Sequence, residues 1–217
     1  MRLFPFLLVL LCGCSNSSPV DGRSLNSVVT LRDLFTSAFL VPTDDGAVLV
    51  DAGFRANRIE AAVEAAGFTP DAITDILLTH GHGDHTVAIE RFPNATVRAL
   101  AAEQPLLDEE EVTLDVPLEP GLITLGGVEF EVFPTPGHTP GNAMFLVDQV
   151  LLMGDSAIGN TDGTLGPTGD NFSDDPEQLN ASVRAVAATL AARPDPLDFL
   201  APAHSDALSG LQPLLDY

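Results

Sequence analysis

All five histidines of this chain stand just downstream of short apolar runs, and three of them fall within six positions. The cluster reads Thr79-His80-Gly81-His82-Gly83-Asp84-His85 and follows the run at residues 76–78. His138 sits in Thr135-Pro136-Gly137-His138-Thr139-Pro140-Gly141, after the run at 128–133. His204 sits in Ala201-Pro202-Ala203-His204-Ser205, after the run at 199–201. Two carboxylates occupy equivalent places, Asp51 after residues 47–50 and Asp155 after residues 150–153. Runs of this length, rich in Val, Leu and Phe, predict buried strands. In an α/β sheet, groups just past the carboxyl ends of strands converge on one edge. The pattern therefore predicts a fold in which five strand ends deliver their side chains to a single site.

The residue types point to a metal. Neutral imidazole nitrogen and carboxylate oxygen are the donors that a divalent ion such as zinc takes at ~2.0–2.2 Å. Gly81 and Gly83 permit the sharp backbone path that four donors in so short a loop require. Such a loop can face two neighbouring ions ~3.5–4 Å apart, which together can hold a hydroxide and clamp a carbonyl or phosphoryl group. Each piece also has a plainer reading. The cluster could be surface histidines in a polar loop, His138 part of a tight turn, His204 a satisfied buried histidine, and Asp155 a cap or turn residue. Their common order and spacing favour the metal. For Asp51, a turn or a hydrogen bond to a ligand fits at least as well as ligation.

The remaining sequence predicts one α/β domain with helices covering sheet faces. Further strands are expected at residues 28–31, 39–41, 97–100, 122–125 and 143–147, with hairpin turns at 43–46 and 125–128. One helix is expected over 58–66, closed by Gly67. A second over 176–193 carries Leu179, Val183, Val186 and Leu190 on one face, with Asp175 as its cap and Pro176 in its first turn. Residues 206–215 read as a last short helix despite Pro213, and residues 105–111 as helix or acidic loop. Residues 156–173 are rich in Gly, Asp, Asn and Thr and read as a lid or substrate-contact loop.

The first 13 residues have the single Arg2 and the apolar run of an export signal. Leu11-Cys12-Gly13-Cys14 has the form of a bacterial lipobox, which would make Cys14 the acylated first residue of a cell-envelope lipoprotein; a simply cleaved signal is the alternative. Residues 14–27 read as a flexible tether and 28–217 as the catalytic domain. Cleavage before Cys14 removes Cys12, and lipid caps Cys14, so no thiol remains for catalysis or for metal. The nine basic residues are all Arg, and 31 Asp and Glu set the formal charge at −22. A surface of that sign repels nucleic acid. The expected partner is a small molecule, with the membrane reached only through the anchor at Cys14. Nothing in the chain speaks to oligomeric state.

Asp51, the His80–His85 cluster, His138, Asp155 and His204 in this order resemble the metallo-β-lactamase superfamily, over about residues 28–205. The resemblance implies an αββα sandwich of two mixed sheets with helices on the outer faces. It implies that His80, His82 and His138 hold a first metal. Asp84, His85 and His204 would hold a second, and Asp155 would bridge the two. The implied cofactors are two divalent ions, zinc first, with iron or manganese as alternatives. The implied chemistry is metal-assisted hydrolysis, with Asp84 as the catalytic carboxylate that orients the attacking water and takes up its proton.

The carboxylate at 155 resembles glyoxalase II and lactonase relatives more than true β-lactamases. Glyoxalase II carries basic residues for glutathione in an added helical domain, whereas here only Arg184 and Arg193 follow Arg98 among basic residues. Lactonase relatives use a tyrosine beside the metals, and Tyr217 is poorly placed for that. Ser156 lacks the G-x-S-x-G setting of a serine nucleophile. The expected substrate is thus a small ester, lactone, thioester or amide of low charge. Two other readings compete. One is a persulfide-oxidising enzyme with a single iron, which the seven-residue ligand set opposes. The other is a non-catalytic, metal-dependent binding module of the envelope.

Overall fold

The computed structural model describes residues 21–217. The export signal, Cys14 and the first part of the tether lie outside the described residues. Among those described, no helix is long and apolar enough to cross a membrane.

Two sheets form the centre of the molecule. The first contains β1 (Ser24–Leu25), β2 (Val28–Asp33), β3 (Thr36–Thr43), β4 (Gly46–Val50), β5 (Ile73–Leu77), β6 (Thr96–Leu100) and β7 (Val116–Leu118), in that spatial order. Its first four strands pair antiparallel, and β4 to β7 pair parallel. The second sheet contains β8 (Gly121–Leu125), β9 (Val128–Pro134), β10 (Ala143–Val147), β11 (Val150–Gly154), β14 (Phe199–Pro202) and β15 (Leu208–Ser209). There only β11 and β14 are parallel. A small ribbon pairs β12 (Ile158–Gly159) with β13 (Leu165–Gly166). The helices are α1 (Ala56–Ala65), α2 (Gly83–Thr86), α3 (Gln104–Glu109), α4 (Pro176–Ala191) and α5 (Gln212–Leu215).

The central strands read as unbroken apolar runs because both of their faces are covered. In β4, Val48 and Val50 point into the core between the sheets, while Ala47 and Leu49 point to the layer that includes α1. In β11, Val150 and Leu152 face the inter-sheet core, while Leu151 and Met153 meet Leu179, Val183, Val186 and Leu190 of α4. Alternation of period two on doubly covered strands thus generates three apolar layers from two sheets. The result is the αββα sandwich expected from the resemblance.

Both expected hairpins form: Thr43 pairs with Gly46, and Leu125 with Val128. The two long helices lie where the apolar spacing predicts them, and residues 104–109 resolve as helix. Two expectations need correction. Within the stretch read as tether, Ser24–Leu25 is a strand: Leu25 is buried in the inter-sheet core, and Asn26, at φ 52°, turns the chain back into β2. Asparagine tolerates this left-handed conformation, so a polar spelling concealed a hairpin. Residues 206–215 are not one helix. Leu208 pairs with Leu200 at the sheet edge, Gly210 takes φ 74°, and only then does α5 begin, with Pro213 harmless in its first turn. Residues 156–173, read as a lid or substrate-contact loop, include the β12–β13 ribbon.

The start of α4 sits on the loop that carries His138. Asp175 accepts the backbone N–H of Gln178 at 2.9 Å and caps the helix. The Asp175 N–H donates in turn to the Gly137 carbonyl at 2.8 Å. Gly137 has φ 133°, and a Cβ there would lie 2.2 Å from the Leu179 nitrogen. Two stability changes are expected, both read by urea unfolding. Asp175→Ala lowers stability by about 1 kcal/mol through loss of the cap. Gly137→Ala, which must push the first turn of α4 away, lowers it by about 2–4 kcal/mol.

Candidate metal centre

Strand direction assembles the site. The parallel strands β4, β5 and β6 end at one edge of the first sheet, and the co-directional β9, β11 and β14 end at one edge of the second. The two edges are joined directly, because the Ala143 N–H donates to the Thr79 carbonyl at 2.8 Å. Asp51 follows β4, the histidine cluster follows β5 and runs into α2, His138 follows β9, Asp155 follows β11, and His204 follows β14. All seven side chains expected to bind metal meet there. Three groups have donor atoms mutually within 4.8 Å: His80, His82 and His138; His80, His85 and Asp155; and Asp84, His85 and His204.

The contacts between these groups are close. His138 Nε2 is 3.0 Å from His82 Nδ1. The Asp155 carboxylate lies 3.1 Å from His204 Nε2, 3.2 Å from His85 Nε2 and 3.6 Å from His138 Nε2. Asp84 Oδ2 lies 3.4 Å from His204 Nε2 and 3.6 Å from His85 Nε2.

Outer hydrogen bonds set the tautomers. His85 Nδ1 donates to Asp51 Oδ2 at 2.8 Å, which turns the Nε2 lone pair inward. The Thr79 hydroxyl lies 2.9 Å from Asp51 Oδ2 and 3.1 Å from His80 Nδ1. A carboxylate only accepts, so the single hydroxyl hydrogen goes to Asp51 and His80 Nδ1–H donates to Thr79. His204 Nδ1 donates to the carbonyl of Phe35 at 2.9 Å. Asp51 therefore orients His85 and Thr79 and belongs to none of the three donor groups. It is buried at φ 60°, a turn at the end of β4 that aims its carboxylate at Thr79 and His85.

The donors fit a divalent cation on two grounds. His80 Nε2, His85 Nε2 and Asp155 Oδ1 are buried without a well-directed hydrogen bond, close as His85 and Asp155 are, and the three residues form one of the donor groups. Buried polar atoms left unmatched are costly, and a cation satisfies all three together. The set is entirely nitrogen and oxygen, the donors that suit zinc. The electrostatics separate the two sides of the site. Burial, reinforced by neighbouring histidines, holds the pKa of His80 well below the ordinary value, and burial also lowers that of His138, to about 4. Burial opposes charge on His85 and His204 as well. There Asp51, Asp155 and Asp84 outweigh it for His85, and Asp155 outweighs it for His204, whose pKa rises to about 9. Burial would raise the Asp155 pKa, but His204 and His85 hold it well below the usual range.

Thr79 and Phe35 were not singled out in the sequence. Thr79 carried a signal, since it is the hydroxyl residue directly before the cluster. Phe35 acts through its carbonyl, which has no side-chain signature. The segment 156–173 lies alongside the donor groups: Thr168 donates to the Asp155 carbonyl at 2.5 Å, and Ser173 Oγ is 3.4 Å from His138 Nδ1. Because a cation satisfies buried atoms only in the folded state, adding zinc at about 100 times its Kd is expected to raise stability by about 2.7 kcal/mol. Thermal unfolding with zinc and with a chelator checks this, and unchanged midpoints would count against a metal centre.

Comparison with known proteins agrees with this geometry. Curated relatives include the hydroxyacylglutathione hydrolase of Pseudomonas fluorescens, 30% identical over 148 residues, which are 68% of this chain and 53% of the relative. That of Xanthomonas axonopodis pv. citri is 35% identical over 121 residues, 54% of this chain and 44% of the relative. The chain thus spans about half the length of the curated relatives it matches. Among solved structures, the metallo-β-lactamase from Pontibacter korlensis superposes with a TM-score of 0.72 at 18% identity, over 89% of this chain and 95% of that one, and so shares the fold. The sequence pattern of the metallo-β-lactamase superfamily matches residues 31–204. With that span covering most of both sheets and every residue of the donor groups, the chain belongs to the metallo-β-lactamase superfamily.

Proposed function

We propose that the chain is a metal-dependent hydrolase that carries two divalent cations and cleaves a small carbonyl substrate of low charge, a thioester first among esters, lactones and amides. The observation that carries this reading is the set of buried donor atoms without well-directed partners, from His80, His85 and Asp155, the group that overlaps both of the other two donor triads. His80, His82 and His138 would hold one cation and Asp84, His85 and His204 the other. Asp155, whose two oxygens face different histidines, would touch both. Zinc is the cation proposed. When bound, such a pair supplies water that ionises near neutral pH and an electrophile for the carbonyl oxygen.

The chain's own groups supply the rest. Asp84 is partly exposed, at the rim of the donor cluster. From there it can orient the attacking water, accept its proton and pass that proton to the departing thiolate or alkoxide. Water adds to the carbonyl carbon, the bond to sulfur or oxygen breaks, and the products are a carboxylic acid and a thiol or alcohol. Asp51 and Thr79 keep the imidazoles turned inward throughout.

Two features support the substrate class. Phe35 lies nearly parallel to the His204 ring at 5.8 Å, and Phe54 lies 5.3 Å from Phe35; both are more than 40% exposed. They form an apolar wall beside the donor cluster, suited to an acyl or aryl group. Arg55, which follows Phe54, is already engaged by the buried Asp33. With a formal charge of −22, the protein attracts anionic thioesters poorly. The curated relatives are named for a glutathione thioester, which makes thioesters the first compounds to test. On the strength of the leader alone, we also propose a cell-envelope location with a lipid anchor at Cys14.

Zinc-loaded protein is expected to hydrolyse chromogenic thioesters, esters or lactones, while His82→Ala abolishes turnover. Asp84→Asn is expected to lower kcat by about 10²–10⁴-fold. Absence of turnover across the panel would favour a binding module, and one iron per chain would favour the oxidative alternative. Phe35→Ser keeps the carbonyl that holds His204. It is expected to lower kcat/KM about tenfold for aryl or long acyl substrates relative to acetyl ones, with metal content unchanged.

A further inference from the structure

Glu103 is a fully buried carboxylate with no part in the scheme above. It ends the short 3-10 turn that directly follows β6, so it too is delivered by the carboxyl end of a parallel strand. Both of its oxygens are engaged. Oε2 accepts the backbone N–H of Gly81 at 2.9 Å. Oε1 accepts the Thr139 hydroxyl at 2.5 Å and the Gly141 N–H at 2.6 Å. The approach is tight, since a Cβ on Gly141 would lie 2.6 Å from the Glu103 nitrogen.

The partners define what this side chain does. Gly81 lies between His80 and His82, and Thr139 and Gly141 follow His138. One carboxylate therefore ties the loop after β5 to the loop after β9, and those loops carry all three histidines of the first triad. The backbone link from Ala143 to Thr79 joins the same two loops at another point. His85, by contrast, is anchored by Asp51. Asp51 reaches the first triad at His80, through the Thr79 hydroxyl, whereas Glu103 holds the loops on which His82 and His138 stand.

We propose that Glu103 is the positioning residue for the cation held by His80, His82 and His138. It acts by fixing the separation of the two loops across which His82 and His138 face each other. This rests on the reading that those histidines bind metal. All three partners are donors, so an amide at 103 turns an NH₂ towards at least one of them and breaks a link whichever way it points.

The test is cation binding by the full chain, with zinc titrations for affinity and cobalt(II) absorption to tell the two triads apart. Wild type is expected to bind two cations. Glu103→Gln is expected to lose about 10–100-fold in affinity for one cation and to keep the other. Its cobalt spectrum should match that of His138→Ala and differ from that of His204→Ala. Thr139→Val removes one donor and leaves Glu103 in place, so it should weaken the same cation by about tenfold and decide the matter if Glu103→Gln does not fold. Two cations bound at wild-type affinity by the variants that fold overturn this inference alone. A wild type that binds no cation overturns it together with the hydrolase reading.

Discussion

The parallel pairing of β4 with β5, and of β11 with β14, is the arrangement on which the rest of this molecule depends. Parallel neighbours place their carboxyl ends side by side, and the residues just past those ends include most of the donors. Antiparallel pairing of β4 with β5 would part the His80–His85 cluster from Asp51, and antiparallel pairing of β11 with β14 would send His204 to the opposite edge. The pairing in turn requires both sheet faces to be covered, because such strands are apolar throughout. The packing of α4 on Leu151 and Met153 is therefore a precondition of the chemistry as well as of stability.

Much of this was legible in the sequence because it rests on local signals. Short apolar runs rich in Val, Leu and Phe marked the ten principal strands, and an Asp-Pro start marked α4. Donor residues behind those runs marked the site, and seven of them meet. Less legible was structure held by pairing alone. Ser24–Leu25 and Leu208–Ser209 are each two residues long and carry no periodicity, so only their partners make them strands. Hydrogen-bond roles were hidden for a related reason. Phe35 contributes a carbonyl that any residue would offer. Glu103 is one carboxylate among many in an acidic chain, and only its burial sets it apart.

Charge is partitioned with the same economy. Asp33, Asp51 and Glu103 are fully buried and each is matched to hydrogen-bond donors, whereas most acidic residues face solvent. Full burial makes each of them costly to leave unmatched. Their placement therefore specifies loop geometry more firmly than an apolar contact would, because a hydrogen bond to an ionised oxygen has both a preferred length and a preferred direction.

The turn between β2 and β3 serves two purposes at once. Its main chain orients His204, while the aromatic ring on the same residue borders the space beside that imidazole. Replacing the ring leaves the oxygen where it is, so side-chain exchange at this corner can proceed freely. Lengthening the turn would shift the oxygen and release the imidazole. Diversification here is thus channelled into substitution and closed to insertion, which ties the range of compounds such a scaffold can explore to the shape of a two-residue bend.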